Sequence, residues 1–141
     1  TYFEVRRAWS PGDVVELTLP LPPRLLESHP LVEETRGQVA VQRGPVVYCL
    51  ESPDLPAGVR VRDVTIPAGI DLRPRSDPGL LGGATVLEGR AVACPAPEWN
   101  RVLYREMMPA APKPIDVRLI PYFTWGNRGR SEMSVWLPLR W

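Results

Sequence analysis

Apolar and polar residues alternate one for one along most of this chain. In "DVVELTLP", Val15, Leu17 and Leu19 share one side while Glu16 and Thr18 take the other. A period of two predicts a strand with one wet face. "TYFEVRRAW", just before it, also reads as a strand. "GQVAVQ" sets Val39 and Val41 on one face, and "VRVRDV" sets Val59 and Val61 inward against Arg60 and Arg62. "IDVRLIP" repeats the pattern with Ile115, Val117 and Leu119 against Asp116 and Arg118. "EMSVWLP" alternates Met133, Val135 and Leu137 with Ser134 and Trp136. "PVVYCLE" differs, because Val46 to Leu50 are apolar without a break, which predicts a central strand covered on both faces. Leu25-Leu26 and "TVLEGRAVA" add shorter β stretches. No stretch of helix length carries a 3.6-residue repeat. The fold class expected is all-β, and the architecture an antiparallel, jelly-roll-like β-sandwich.

Proline and glycine punctuate these strands. Proline accounts for 18 of 141 residues, well above the usual roughly 5%, and its even spread forbids long helices. Arg43-Gly44-Pro45 reads as the tight turn joining "GQVAVQ" to "PVVYCLE". "IPYFTWGNRGRSEMSVWLP" reads as a hairpin turning at Gly126 to Gly129, with Tyr122 and Thr124 on one face and Phe123 and Trp125 on the other. "IPAGIDLRPRSDPGLLGG" and "APEWNRVLYREMMPAAPKP" read as long surface connections. The composition break at "SPDLPAG", Ser52 to Gly58, divides the chain into residues 1–51 and 52–141. The chain opens on Thr1 and runs directly into a strand-like stretch, so a piece of a larger protein is expected.

Charge narrows the function classes. Seventeen basic residues against sixteen acidic ones leave a net charge of +1, with no basic run to serve nucleic acid or a membrane surface. No apolar window is long enough to span a bilayer, and no signal-peptide pattern is present. Cys49 and Cys94 are isolated thiols without a CxxC or a nearby histidine, which argues for buried small residues in a reducing compartment, with a single disulfide as the alternative, rather than metal ligands. His29 in "ESHPL" has no nucleophile motif to serve. Glu51, Asp63, Glu88 and Glu98 are available carboxylates, yet no spacing singles out a glycosidase pair. Gly82-Gly83 is a turn, not a phosphate loop. The remaining chemistry is aromatic: Trp99 and Trp125 are candidates for stacking on a sugar ring.

"GQVAVQRGPVVYCLE" and "IPYFTWGNRGRSEMSVWLP", with "WSPGDVVELTLP" and "HPLVEETRGQ", resemble the C-terminal portion of glycoside hydrolase family 127, the bacterial β-L-arabinofuranosidases. The resemblance implies a parent with an N-terminal catalytic barrel followed by two β-sandwiches. Residues 1–51 would end the middle sandwich and residues 52–141 would form the C-terminal one. It also implies a retaining reaction with a zinc-held cysteine nucleophile in the barrel, outside this stretch. Cys49 and Cys94 match no such motif, so no catalytic, cofactor-binding or metal residue is carried over. The expected role is an accessory, inactive region that packs on its own barrel or on a partner subunit, in a cytoplasmic protein. A module binding arabinose-containing glycans through Trp99 and Trp125 is the alternative.

Overall fold

The computed structural model describes residues 2–95, 101–109 and 111–141. It is all-β, with nine strands among the described residues: β1 (Pro23–Leu26), β2 (Gln38–Arg43), β3 (Val46–Glu51), β4 (Val64–Pro67), β5 (Arg73–Asp77), β6 (Ala84–Ala93), β7 (Lys113–Pro121), β8 (Met133–Ser134) and β9 (Leu137–Arg140). Short 3-10 turns at Glu33–Thr35, Ser52–Asp54, Val61–Asp63 and Tyr122–Thr124 link them.

The pairings close on themselves. β2 pairs with β9, β9 with β4, β4 with β6, β6 with β7, β7 with β3, and β3 returns to β2. Six strands thus form a barrel, in place of the two stacked sheets expected from sequence. Alternation is common to both architectures, since each has one dry and one wet face per strand. The closing contact is the parallel β4–β9 ladder, Ile66 opposite Leu139 and Pro67 opposite Arg140, between segments far apart in sequence. The strands before and after Ser52 belong to the same ring.

The interior is filled from several strands at once. Leu50, Val64, Ile66, Leu87 and Leu119 are completely buried and pack in one cluster with Val41 and Leu137. β3 has a second dry side, where Cys49 joins Leu80, Val86 and Ile120. That double cover accounts for the unbroken apolar run predicted to be a central strand. Gly44, at φ +57°, makes the β2–β3 turn, which only a residue without a Cβ adopts at little cost.

Several sequence expectations are corrected. Residues 2–21, including "DVVELTLP", form no strand. Val61–Asp63 is a 3-10 turn rather than a strand, although Val61 is buried and Arg60 and Arg62 are exposed as expected. The long connection after Ile66 contains β5, which pairs with β6 along five residues. The terminal hairpin does not form, because β8 pairs with β3 and β9 pairs with β2 and β4.

Candidate functional site

The end of β7 explains the missing hairpin. Pro121 closes the strand and Tyr122–Thr124 turns as a 3-10 element, so alternation stops there. Thr124 is fully buried and its hydroxyl donates to the Pro121 carbonyl at 2.7 Å. The aromatic residues around it face outward: Tyr122, Phe123 and Trp125 are 46%, 68% and 42% exposed. Phe123 and Trp125 were expected to oppose Tyr122; the turn instead leaves all three at the surface.

Beneath this aromatic turn lies a buried charge network. Glu51, at the end of β3, is completely buried. Its Oε1 accepts from the Gly126 N–H at 3.0 Å and from the Ser131 hydroxyl at 2.6 Å. Arg128 donates through Nε to Glu51 Oε2 at 3.1 Å and through Nη1 to Asp54 Oδ1 at 2.8 Å. Arg118 on β7 lies 3.7 Å from Asp54 and also binds Asp77 at the end of β5. A string of alternating charges, Asp77–Arg118–Asp54–Arg128–Glu51, therefore links β5, β7, the Ser52–Asp54 turn, the 126–131 loop and β3. Burial pushes the Glu51 carboxyl up, but the hydrogen bonds from Ser131, Gly126 and Arg128 outweigh it and hold the group below the ordinary carboxylate value. Hydrogen bonds to Asp54 and Glu51 hold the Arg128 guanidinium above its usual value, against the opposing effect of burial. The network fixes the 126–131 loop and with it the aromatic turn.

A groove of about 840 Å³ runs beside it, lined in part by Asp71, Arg73, Glu88, Arg90, Asp116 and Arg118. Its carboxylates are engaged by guanidiniums: Asp71 with Arg73 at 2.7 Å, Glu88 with Arg75 at 2.9 Å, and Asp116 with Arg90 at 3.5 Å. These are exposed pairs that hold the sheet surface rather than a carboxylate poised for acid–base work.

The residues singled out from sequence are scattered. Trp99 and Glu98 lie outside the described residues. Trp125 does not line the groove. Asp63 caps its own turn, accepting from the Arg60 N–H at 3.0 Å. His29 sits in an exposed turn, where Nδ1 accepts from the Leu31 N–H. Cys49 is fully buried, and burial together with the nearby Glu51 charge pushes its thiol up to about 12. Cys94 is half-buried and neither cysteine is in a disulfide. Among the described residues no group of three or more His, Cys, Asp or Glu side chains gathers as a metal site would require. Sequence reading missed Glu51 as the pivot of the loop. The available signal was a carboxylate ending an apolar strand and an arginine inside a Gly-rich loop, but only the tertiary fold joins positions so far apart.

Comparison with known proteins places this geometry. Residues 23–138 match the model of the glycoside hydrolase family 127 C-terminal domain. A non-reducing end β-L-arabinofuranosidase of Bifidobacterium longum is 36% identical over 130 residues, which is 88% of this chain and 20% of that protein. A solved glycoside hydrolase is 49% identical with a TM-score of 0.86, covering 97% of this chain and 22% of that one. A family 127 β-L-arabinofuranosidase from Geobacillus stearothermophilus T6 is 37% identical with a TM-score of 0.75, covering 86% and 19%. The chain thus spans about a fifth of the length of these relatives.

Proposed function

The chain belongs to the glycoside hydrolase family 127 C-terminal domain family, and from that membership we propose that it is the non-catalytic accessory domain of a longer, β-L-arabinofuranosidase-like hydrolase. In this reading the bond-breaking chemistry, with its zinc and cysteine nucleophile, lies in a catalytic barrel outside this chain. The domain packs on that barrel or on a partner subunit.

The state of Cys49 carries the proposal. A cysteine nucleophile held on zinc needs an ionised sulfur turned toward the metal and the substrate. Cys49 instead packs among Leu80, Val86 and Ile120 with its thiol near 12. Among the described residues no three His, Cys, Asp or Glu side chains gather around Cys49 or elsewhere to hold zinc.

The test is direct. The purified 141-residue chain, given an aryl β-L-arabinofuranoside with added zinc and a reductant, is expected to show no turnover above buffer. Turnover that disappears in Cys49→Ser or Cys94→Ser would overturn the accessory reading.

A further inference from the structure

Two arginines converge on one carboxylate, and each belongs to a different part of the molecule. Asp54, in the Ser52–Asp54 turn, accepts from Arg128 Nη1 through Oδ1 at 2.8 Å and from Arg128 Nη2 through Oδ2 at 2.5 Å. Arg118 Nη1 stands 3.7 Å from that same Oδ1, within ion-pair range but outside hydrogen-bond distance. Arg128 belongs to the loop that carries the aromatic turn, whereas Arg118 lies on β7 and lines the groove together with Asp54. The carboxylate therefore serves Arg128 fully and Arg118 only at a distance.

Asp77 is what keeps Arg118 back. Its Oδ2 accepts from Arg118 Nη2, and its Oδ1 accepts from the Gly79 N–H at 2.9 Å, which fixes the carboxylate to the turn ending β5. Arg118 is not saturated in this position, because its Nε is buried without a hydrogen-bond partner. A buried donor left unpaired is costly, so the contact with Asp77 decides where the side chain rests. β5 itself is an edge strand, paired with β6 alone among the described residues and exposed from Arg73 to Ser76. Such an edge, with few buried contacts, is the part of a sheet that shifts most readily.

We propose that Asp77, Arg118 and Asp54 form a relay from the edge strand β5 to the aromatic turn. While Asp77 holds Arg118, Asp54 serves Arg128 alone and the 126–131 loop is latched. When the end of β5 moves away, Arg118 closes on Asp54 Oδ1 and two guanidiniums meet on one oxygen. Their repulsion is weakly screened beside a carboxylate whose side chain is only 6% exposed. It loosens Arg128, and with it the turn that carries Tyr122, Phe123 and Trp125. A displacement of β5 is thereby read at an exposed aromatic surface. The relay lies wholly within this domain and does not depend on what the longer polypeptide carries.

Amide exchange resolved by NMR on the 141-residue chain tests the relay at the Gly126 N–H, which donates to Glu51 at 3.0 Å. Asp77→Asn keeps an acceptor for Gly79 but removes the charge that holds Arg118. It should speed Gly126 exchange about 10-fold and leave the β3 amides unchanged. Asp77→Glu, which keeps the charge, should retain the slow rate. Arg118→Met removes the competitor and should leave the rate within about twofold of the natural chain. Asp77→Asn combined with Arg118→Met should return to the natural rate. Simple loss of an ion pair would instead act alike from either end. Unchanged Gly126 exchange in Asp77→Asn overturns the proposal, as does a double variant as fast as Asp77→Asn alone. Arg118→Met as fast as Asp77→Asn also overturns it, since Arg118 would then support the latch rather than compete for it. Acceleration shared equally by β3 is a general loss of stability and overturns it too.

Discussion

Val15, Leu17 and Leu19 near the start of the chain follow the same pattern as Ile115, Val117 and Leu119 in β7, yet the two rows meet opposite fates. The first row is 65% exposed or more, whereas Val117 is 3% and Leu119 0% exposed. Composition does not separate them, since both are branched aliphatics alternating with a charged or hydroxyl residue. Neighbours do. β7 has β6 beside seven of its residues and β3 beside its last three, while the early row has no strand on either side. Alternation therefore encodes the capacity to be buried on one face, and the partner strands decide whether that capacity is used.

The sharpest way to break this comparison is to truncate one residue of each row. Leu119→Ala removes a fully buried side chain from the barrel interior and should cost about 2–5 kcal/mol in urea unfolding of the 141-residue chain. Leu17→Ala, at an exposed position, should stay within about 0.5 kcal/mol. Equal losses would mean that the early row already contributes to the barrel core.

Arg128 probes a different contrast, between the latched loop and the free segment. Arg128→Met leaves the buried Glu51 without its cation and leaves Asp54 only the more distant Arg118. The expected cost is about 3 kcal/mol, the low end for a broken buried pair because Arg128 itself keeps some solvent contact. The aromatic turn should loosen with it, read as faster exchange of the Gly126 amide that Glu51 now holds. The pH dependence has a definite sign. The folded-state value of Glu51 lies below the ordinary 4.5, so its contribution is complete above 4.5 and is lost as pH falls through the folded value. The acid-side loss of stability should be shallower in Glu51→Gln than in the natural chain. An unchanged acid limb would remove Glu51 from the account.

The contrast also shows what could be read in the sequence. Strands β2, β3, β6 and β7 were legible, and so was the central place of β3, because period and apolar run length are local signals. Family membership was legible in two long motifs. Barrel closure was not, because it depends on Ile66 meeting Leu139, a pairing of no local origin. The aromatic hairpin misled for a related reason. Gly126 to Gly129 has turn chemistry, but Pro121 ends β7 before the aromatics and β8 finds β3 instead of β7. The Glu51–Arg128 latch was hidden because its partners lie 77 positions apart, more than half the length of the chain.

Packing tightness distinguishes the regions as well. A Cβ at Gly89 would sit 2.9 Å from the Asp71 carbonyl oxygen and 3.0 Å from Leu72, with β6 held against the chain entering β5. Gly89→Ala should therefore cost about 1–3 kcal/mol by overpacking. Gly12→Ala meets no atom within 4 Å and is opposed only by its positive φ, so it should cost less, about 1 kcal/mol. Thermal melts of the two variants rank them, and the reverse order would show that β6 can yield where the early turn cannot.

The smallest expected effect at neutral pH concerns Cys49, and it separates buried from exposed chemistry most cleanly. With its thiol at about 12 rather than the ordinary 9.0, the thiolate fraction near pH 8 falls by about 1,000-fold. An aromatic disulfide reagent should therefore modify Cys49 only through unfolding, and its slow phase should accelerate with urea in step with the loss of structure. The sign at alkaline pH follows from the same raised value. Stability owed to the protonated thiol is complete below 9.0 and is lost as pH rises toward about 12, where the folded chain must ionise Cys49 in an apolar site. Cys49→Ala should flatten that alkaline decline at the cost of a small cavity. Rapid labelling of Cys49 in the native chain would mean that β3 opens readily at its outer face, and the division between a closed barrel and an open leading segment would no longer hold.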